Sequence, residues 1–329
     1  MKVFHGTTEI AGQMGILSSA LYRKGHYSIG FNTFHSYLDY KDYLVNMNQD
    51  ELSGMNKEII DFFDLFHFHY GTTLCPDFTD LPEIKRRNKK MIMHHWGNDV
   101  RFHEQAKSRN PYVYTGDSPP NEDIHEKLIK ITKYIKEAIV QDYEVYEYVK
   151  DYYEKVHVLP IAIDLTKFQP KYPPIQKEKP LILHAPTNPD FKGTSYIEST
   201  LEKLKEKYDF EYRRIEKMKH EDVIEVYEEA DIIIDQVLCG SYGLLSVESM
   251  ALGKPVLTYI LDDLITTFPA ELPIINSNPD TLYDQVKMLL DNPKLSREFG
   301  IKGRKYVEKY HSHDVVAEQL LTIYSNLIK

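Results

Sequence analysis

Ala230-Asp231-Ile232-Ile233-Ile234-Asp235-Gln236-Val237-Leu238-Cys239-Gly240-Ser241-Tyr242-Gly243-Leu244-Leu245-Ser246-Val247-Glu248-Ser249-Met250-Ala251-Leu252-Gly253-Lys254-Pro255-Val256 decides how this chain is read. A short β-branched run ends in a glycine-framed turn. The turn opens an apolar helix that holds one carboxylate, Glu248, and Gly253 with Pro255 stops that helix before the next strand. Strand, turn, helix and strand in this order place a helix N-terminus at the carboxyl end of a strand, where its free N–H groups and positive dipole end face outward.

The same alternation runs on either side. Towards the N-terminus, Leu181 to His184 reads as a strand, Ser195 to Tyr208 as a helix, Phe210 to Ile215 as a strand and Glu221 to Glu229 as a helix. Earlier still, Lys2 to Gly6 reads as a first strand, followed by a turn with Gly12 and Gly15 and a helix through Leu17, Leu21 and Tyr22 that ends near Gly25. Leu65 to Tyr70, Lys90 to Trp96, Ala138 to Gln141 and Val156 to Leu159 are further strands. Strands separated by helix-length segments imply α/β architecture with parallel sheets covered on both faces.

Between the two series, residues 171–180 carry four charges and three prolines, the composition of a stiff linker. The expected division is therefore an N-terminal domain over 1–170 and a C-terminal domain over 171–310. Residues 311–329, with Val315, Val316, Leu320, Ile323 and Leu327 on one face, form a terminal helix able to pack on either domain, including back on the first. A length of 329 residues fits two such domains at about 100–200 residues each.

Composition narrows the partners. Fifty acidic against forty basic residues give a net charge of −10, which repels a phosphate backbone and excludes general nucleic-acid binding. Only Cys75 and Cys239 occur, too few for a metal or disulfide framework, and this fits a reducing cytoplasm. The N-terminus lacks the apolar core of a secretory signal, and no window is apolar enough to span a membrane. Lys85-Arg86-Arg87-Asn88-Lys89-Lys90 reads as a solvated helix end, or as a weak peripheral contact with an acidic lipid surface.

Three regions carry chemistry. The Gly240 to Leu245 turn suits an anion such as a diphosphate, with Gly243 letting the backbone approach and Glu248 about one turn into the helix, placed to accept from a pair of sugar hydroxyls. The plainer reading is a turn glycine and an acid that favours the helix dipole. Thr187-Asn188-Pro189-Asp190-Phe191-Lys192-Gly193 follows a strand and sets Lys192 at the same edge, as a point charge for a leaving diphosphate or as an exposed loop lysine. Phe66-His67-Phe68-His69-Tyr70 and Met93-His94-His95-Trp96-Gly97-Asn98-Asp99-Val100-Arg101, with His103, bring five histidines to strand ends. They read as cleft-lining polar groups or packing partners rather than zinc ligands, because a carboxylate or thiolate complement is lacking. Tyr143, Tyr146, Tyr148, Tyr152 and Tyr153 at helical spacing read as half-buried packing rather than sugar-stacking faces.

Together these segments resemble, over nearly the whole chain, the retaining GT-B glycosyltransferases of glycosyltransferase family 4. The resemblance rests on Glu9-Ile10-Ala11-Gly12-Gln13, Asp64 to His69, Trp96 to Arg101, Val158 to Asp164 with Phe168 and Pro170, Lys192-Gly193, and Glu248 to Val256 in that order. It implies two Rossmann-like domains facing across a cleft, with a nucleoside diphosphate sugar as donor held mainly by the second domain and a glycan or lipid-linked acceptor by the first. Transfer would proceed with retention, without a metal or other cofactor. Lys192, His95 and Asp99 become the expected catalytic residues. Gly12, Thr187, Asn188, Lys192, Lys217, Met218, Ser241, Gly243, Leu244, Leu245 and Glu248 become the expected donor contacts, with Lys192 on the leaving diphosphate and Glu248 on the ribose.

The chain departs from the family pattern at three places. Thr187 stands where an arginine usually precedes the lysine, Gly240 where the first acid of a Glu-x7-Glu pair falls, and Trp96 where a histidine is usual. Arg214 or Lys217 is the expected substitute for the missing arginine. The departures keep two rivals open: a catalytically weak sugar-nucleotide-binding or scaffold protein, and a GT-B nucleotide-sugar epimerase.

Overall fold

The computed structural model describes residues 1–328, and the chain folds into two compact α/β units. Unit 1 comprises Met1–Gln105, Ser118–Ala162 and the C-terminal helix His313–Ile328. Its sheet contains β1 (Lys2–Thr7), β2 (Tyr27–Asn32), β3 (Leu44–Asn46), β4 (Leu65–His69), β5 (Lys90–His95), β6 (Glu137–Val140) and β7 (Lys155–Val158) in the order β3-β2-β1-β4-β5-β6-β7. Every pairing is parallel. One sheet face packs Val3, Leu65, Ile92 and Ile139 against Leu17 and Leu21 of the first helix and Val316, Leu320 and Tyr324 of the last.

The sequence reading found neither β2 nor β3. Gly30 in the middle of β2 signals a break, yet the tertiary structure requires it, since a Cβ there would lie 2.5 Å from Leu44 Cδ2 of β3. β3 is a three-residue edge strand, too short for its alternation to register.

Unit 2 comprises Ala106–Asp117 and Ile163–Ser312. β8 (Leu181–His184), β9 (Glu211–Arg214), β10 (Ile232–Ile234), β11 (Val256–Thr258) and β12 (Ile275–Asn276) form a parallel sheet in the order β12-β11-β10-β8-β9. Ile182, Ile232, Ile234 and Leu257 pack on Ile197, Leu201 and Leu204 of the helix Thr194–Lys205 and on Leu282, Val286 and Leu289 of the helix Leu282–Asp291.

The unit boundary lies between Ala162 and Ile163, not at 170/171, and residues 171–180 are no free linker. Distant donors and acceptors strap this stretch to unit 2. Arg304 Nη1 donates to the carbonyls of Phe168 (2.7 Å) and Ala251 (2.9 Å), Lys171 N donates to Leu252 O (2.8 Å), and Arg297 Nη1 donates to Pro173 O (3.1 Å). Residues 106–117 join the same unit, where Asn110 Nδ2 donates to Leu238 O at 2.7 Å.

Strand order locates the candidate binding edge of each unit by a general rule. Open parallel sheets bind ligands outside the carboxyl ends of their strands, where the winding direction reverses. The reversal falls between β1 and β4 in unit 1 and between β8 and β10 in unit 2.

Candidate functional site

At the unit 2 reversal, β8 ends at His184 and the chain turns into the short helix Pro189–Lys192. Asn188 caps that helix: its Oδ1 accepts from Asp190 N (3.1 Å) and Phe191 N (3.3 Å). The helix delivers Lys192, buried at 9% exposure, to the residues that follow β10. Lys192 Nζ donates to Asp235 Oδ1 at 2.6 Å and to Gln236 Oε1 at 2.7 Å. Asp235 Oδ2 accepts from Ser246 Oγ at 2.6 Å, and Gln236 Nε2 donates to Ser241 O. The lysine is therefore tied through one carboxylate to the helix Leu244–Ala251 and through one amide to the turn before it. An ammonium and a carboxylate this deep persist only when such further hydrogen bonds satisfy them.

Ser241 and Leu245 are buried in that turn, and Leu244 is half-buried. The conformational role expected of Gly243 belongs to Gly240. Gly243 has φ −113°, open to any residue, and an added Cβ would meet nothing nearer than Gln236 Oε1 at 3.6 Å. Gly240 has φ +92°, and an added Cβ would lie 2.8 Å from Leu261 Cγ. The helix Leu244–Ala251 starts without a side-chain cap, so its first N–H groups are not satisfied by a cap residue.

Glu248 lies in that helix at 3% exposure, and its Oε1 accepts from Nε2 of His220, the first residue of the helix His220–Glu229. Lys217 (φ +54°) is exposed and Met218 half-buried on the loop after β9. Thr187 is exposed and Asn188 half-buried. Arg214 does not stand in for the missing arginine, because its guanidinium is paired with Glu198 (3.2 Å) and Glu216. The sequence reading gave no role to Asp235, Gln236, Ser246 or His220. The signal available for the first two was polar residues directly after a fully apolar strand.

Unit 1 holds the other expected residues, His95, Asp99 and Gly12, and the polar side chains among them have partners within the protein. His95 is fully buried, its Nδ1 2.6 Å from Asp99 Oδ2 and its Nε2 2.8 Å from Tyr153 Oη. Asp99 Oδ1 accepts from Trp96 N (3.0 Å) and Gly97 N (3.1 Å). Both nitrogens and both oxygens are engaged inside the protein, and these bonds hold the β5 turn in shape. Gly12 takes φ +72° at the start of the helix Gln13–Arg23, but an added Cβ would lie 3.0 Å from Tyr40 Cε1, and the N–H groups of Met14 and Gly15 already donate to Glu9, both at 3.2 Å. Burial pushes the Glu9 carboxyl up to about 8 against these backbone bonds. The anion position of that helix is filled by the protein's own side chain.

The β1–β4 register aligns His5 with His67, and the β4–β5 register aligns His69 with His94. His5, His67 and His69 bring one ring nitrogen each within 4.8 Å of the others, a spacing that invites a metal. The hydrogen bonds do not fit one. Trp96 Nε1–H donates to His69 Nδ1 (3.3 Å), so neutral His69 carries its proton on Nε2 and donates it to His5 Nδ1 (3.1 Å). A cation there would displace that proton to Nδ1, against the Trp96 donor. His67 completes the array with Tyr324 Oη (2.6 Å) and His94 Nδ1 (3.2 Å). Burial pushes His5 down to about 3 and holds His67, His69 and His94 well below the usual imidazole value.

At the β1/β4 reversal, a cavity of about 360 Å³ is lined by Thr7, Thr33, Gln49, Thr72, Phe78 and Lys127 among others. Hydroxyls, an amide and one aromatic face, with Asp123, Glu126 and Lys130 beside Lys127, suit a polar ligand such as a polyol. Among the described residues, no helix is long and apolar enough to cross a membrane.

Comparison with known proteins agrees with this architecture. Residues 181–322 match the family model described as "Glycosyl transferase-like". A trehalose synthase from Pyrococcus horikoshii is 26% identical over 163 residues, which is 49% of this chain and 39% of that protein's length. Among solved structures, sucrose-phosphate synthase from Thermosynechococcus elongatus superposes with TM-score 0.67 at 14% identity, covering 99% of both chains. A glycosyltransferase from Rickettsia africae gives 0.68 at 16%, covering 99% of this chain and 98% of its own. Anabaena HepE in complex with UDP-glucose gives 0.67 at 8%, covering 98% of this chain and 99% of its own. The chain has the GT-B fold of glycosyltransferases, and the glycosyl transferase-like sequence over residues 181–322 covers the sheet of its second unit and runs into the C-terminal helix.

Proposed function

We propose that this protein is a glycosyltransferase that moves a sugar from a nucleoside diphosphate sugar to a glycan or lipid-linked acceptor, with retention and with no metal or further cofactor. The observation that carries the reading is the convergence of Lys192, Gln236, the uncapped helix Leu244–Ala251 and Glu248 at the carboxyl ends of β8 and β10, within the segment that matches the glycosyl transferase-like family. In this reading Lys192 and the helix N-terminus take the diphosphate. Their charge and N–H groups are fixed before the sugar–phosphate bond breaks, so stabilising the departing diphosphate costs little reorganisation. Glu248 takes the ribose diol. The polyol-suited cavity of unit 1 takes the acceptor.

Structural neighbours support the chemistry: HepE was solved in complex with UDP-glucose, and a trehalose-6-phosphate synthase structure concerns glycosyltransfer with retention. Two free cysteines suit a reducing cytoplasm as the site of action.

The test is calorimetry of the full chain with UDP, GDP, ADP and their hexose conjugates, followed by product analysis with sugar acceptors. One nucleotide series should bind, and Glu248→Gln should weaken it. No binding by any nucleotide would overturn the reading, and product from donor alone would redirect it to an epimerase.

A further inference from the structure

Glu248 does not stand alone on its helix. Its Oε1 is bonded to Nε2 of His220, which arrives from a different helix at the carboxyl end of a different strand, β9. The two side chains are 4% and 19% exposed. A glutamate has three side-chain torsions, and a carboxylate that reads a diol must be held in one orientation or spend ligand affinity on being ordered. An ionised carboxylate offers about four lone-pair sites. One donor on Oε1 leaves the rest for two vicinal hydroxyls.

We propose that His220 is the positioning residue of the donor site: it holds the Glu248 carboxylate so that its remaining lone pairs receive the ribose diol of a nucleoside diphosphate. The inference rests on the donor-site reading above and adds a residue and a pH dependence to it. The charged groups that bear on the ring are Glu248 from the helix Leu244–Ala251, Lys167 from the 3-10 turn Leu165–Lys167, and Glu221 from its own helix. Burial opposes the charged ring and Lys167 adds to that, but the bond and charge of Glu248, with Glu221, outweigh both and raise the imidazole above its ordinary value. A protonated ring carries an N–H on both nitrogens, so Nε2 always donates, and by a charge-assisted bond. A neutral ring has one N–H, and its bond is weaker. The clamp therefore loosens as pH rises through the raised value.

The experiment is calorimetry of UDP, GDP and ADP binding to the full chain, wild type and variants, at about pH 6 and about pH 9. The ratio of variant to wild-type affinity cancels the titration of the ligand's own phosphate. His220→Ala should weaken the bound nucleotide roughly 10-fold at the lower pH and less at the higher. His220→Gln, which keeps a neutral donor, should recover part of the loss with little dependence on pH. In a Glu248→Gln background, His220→Ala should add little further loss. Wild-type affinity in both His220 variants, while Glu248→Gln weakens binding, overturns this inference and leaves the donor site standing. A loss that is equal at both pH values and persists in the Glu248→Gln background also overturns it, because that marks a general structural role. If no nucleotide binds the wild type, the donor reading itself fails and takes this inference with it.

Discussion

Lys192 Nζ lies 2.6 Å from Asp235 Oδ1, and the two side chains are 11% and 0% exposed, so the lysine that reads in sequence as a solvent-facing point charge is half of a buried ion pair. Any account of its part in the reaction must include what its removal does to Asp235.

Truncating the lysine leaves a buried carboxylate with only the Ser246 hydroxyl as a side-chain donor. Lys192→Ala should therefore cost about 3–5 kcal/mol of folding stability as well as nucleotide affinity. Lys192→Ala with Asp235→Asn should regain most of the stability and none of the affinity. Urea unfolding and calorimetry on the single and double variants separate the two effects. A Lys192→Ala protein as stable as wild type would contradict the buried-pair account.

Restoring the family acid at position 240 should fail. With φ +92° and Leu261 Cγ 2.8 Å from the site of a Cβ, Gly240→Ala should lose roughly 1–3 kcal/mol and Gly240→Glu more, without tighter sugar binding. A Gly240→Glu protein that stays folded and binds a nucleotide sugar more tightly would show that the turn adapts.

His95→Gln removes a buried acceptor and donor at once and should destabilise unit 1 by about 1–3 kcal/mol, as seen in denaturant unfolding. Nucleotide affinity, measured on the folded fraction, should not change. A selective loss of catalysis with full stability would instead give His95 a direct part in the chemistry.

Acid should weaken unit 1 through its buried imidazoles. His5, His67, His69 and His94 have folded values below 6.5, so between about pH 6.5 and the folded values the unfolded chain binds more protons than the native one. Stability is therefore complete above about pH 6.5 and is lost as pH falls, by up to about 1.4 kcal/mol per pH unit for each ring. Trp96, the only tryptophan, stacks on His94 at 4.0 Å and should report the transition by fluorescence. His94→Phe should make the acid limb shallower by about one proton. An unchanged slope would show that His94 does not titrate in this window.

The parallel α/β organisation was legible because each strand and helix carries its own period: Leu181 to His184 is bounded identically by pattern and by coordinates. β2 and β3 were not, since their pairing depends on Leu44 filling the space that Gly30 leaves. The boundary between Ala162 and Ile163 was not legible because the two side chains that fix residues 168–173, Arg297 and Arg304, lie far from it in sequence.

For the site, the sequence by itself determined which loops carry it: a helix N-terminus after β10 and a lysine after β8 follow from local order of residue types. Tertiary structure alone decided the state of each group. Whether Lys192 is free or paired, which glycine the turn needs, and what holds Glu248 are questions of distance between residues remote in sequence, and burial then sets their energies by removing the water that would otherwise satisfy them.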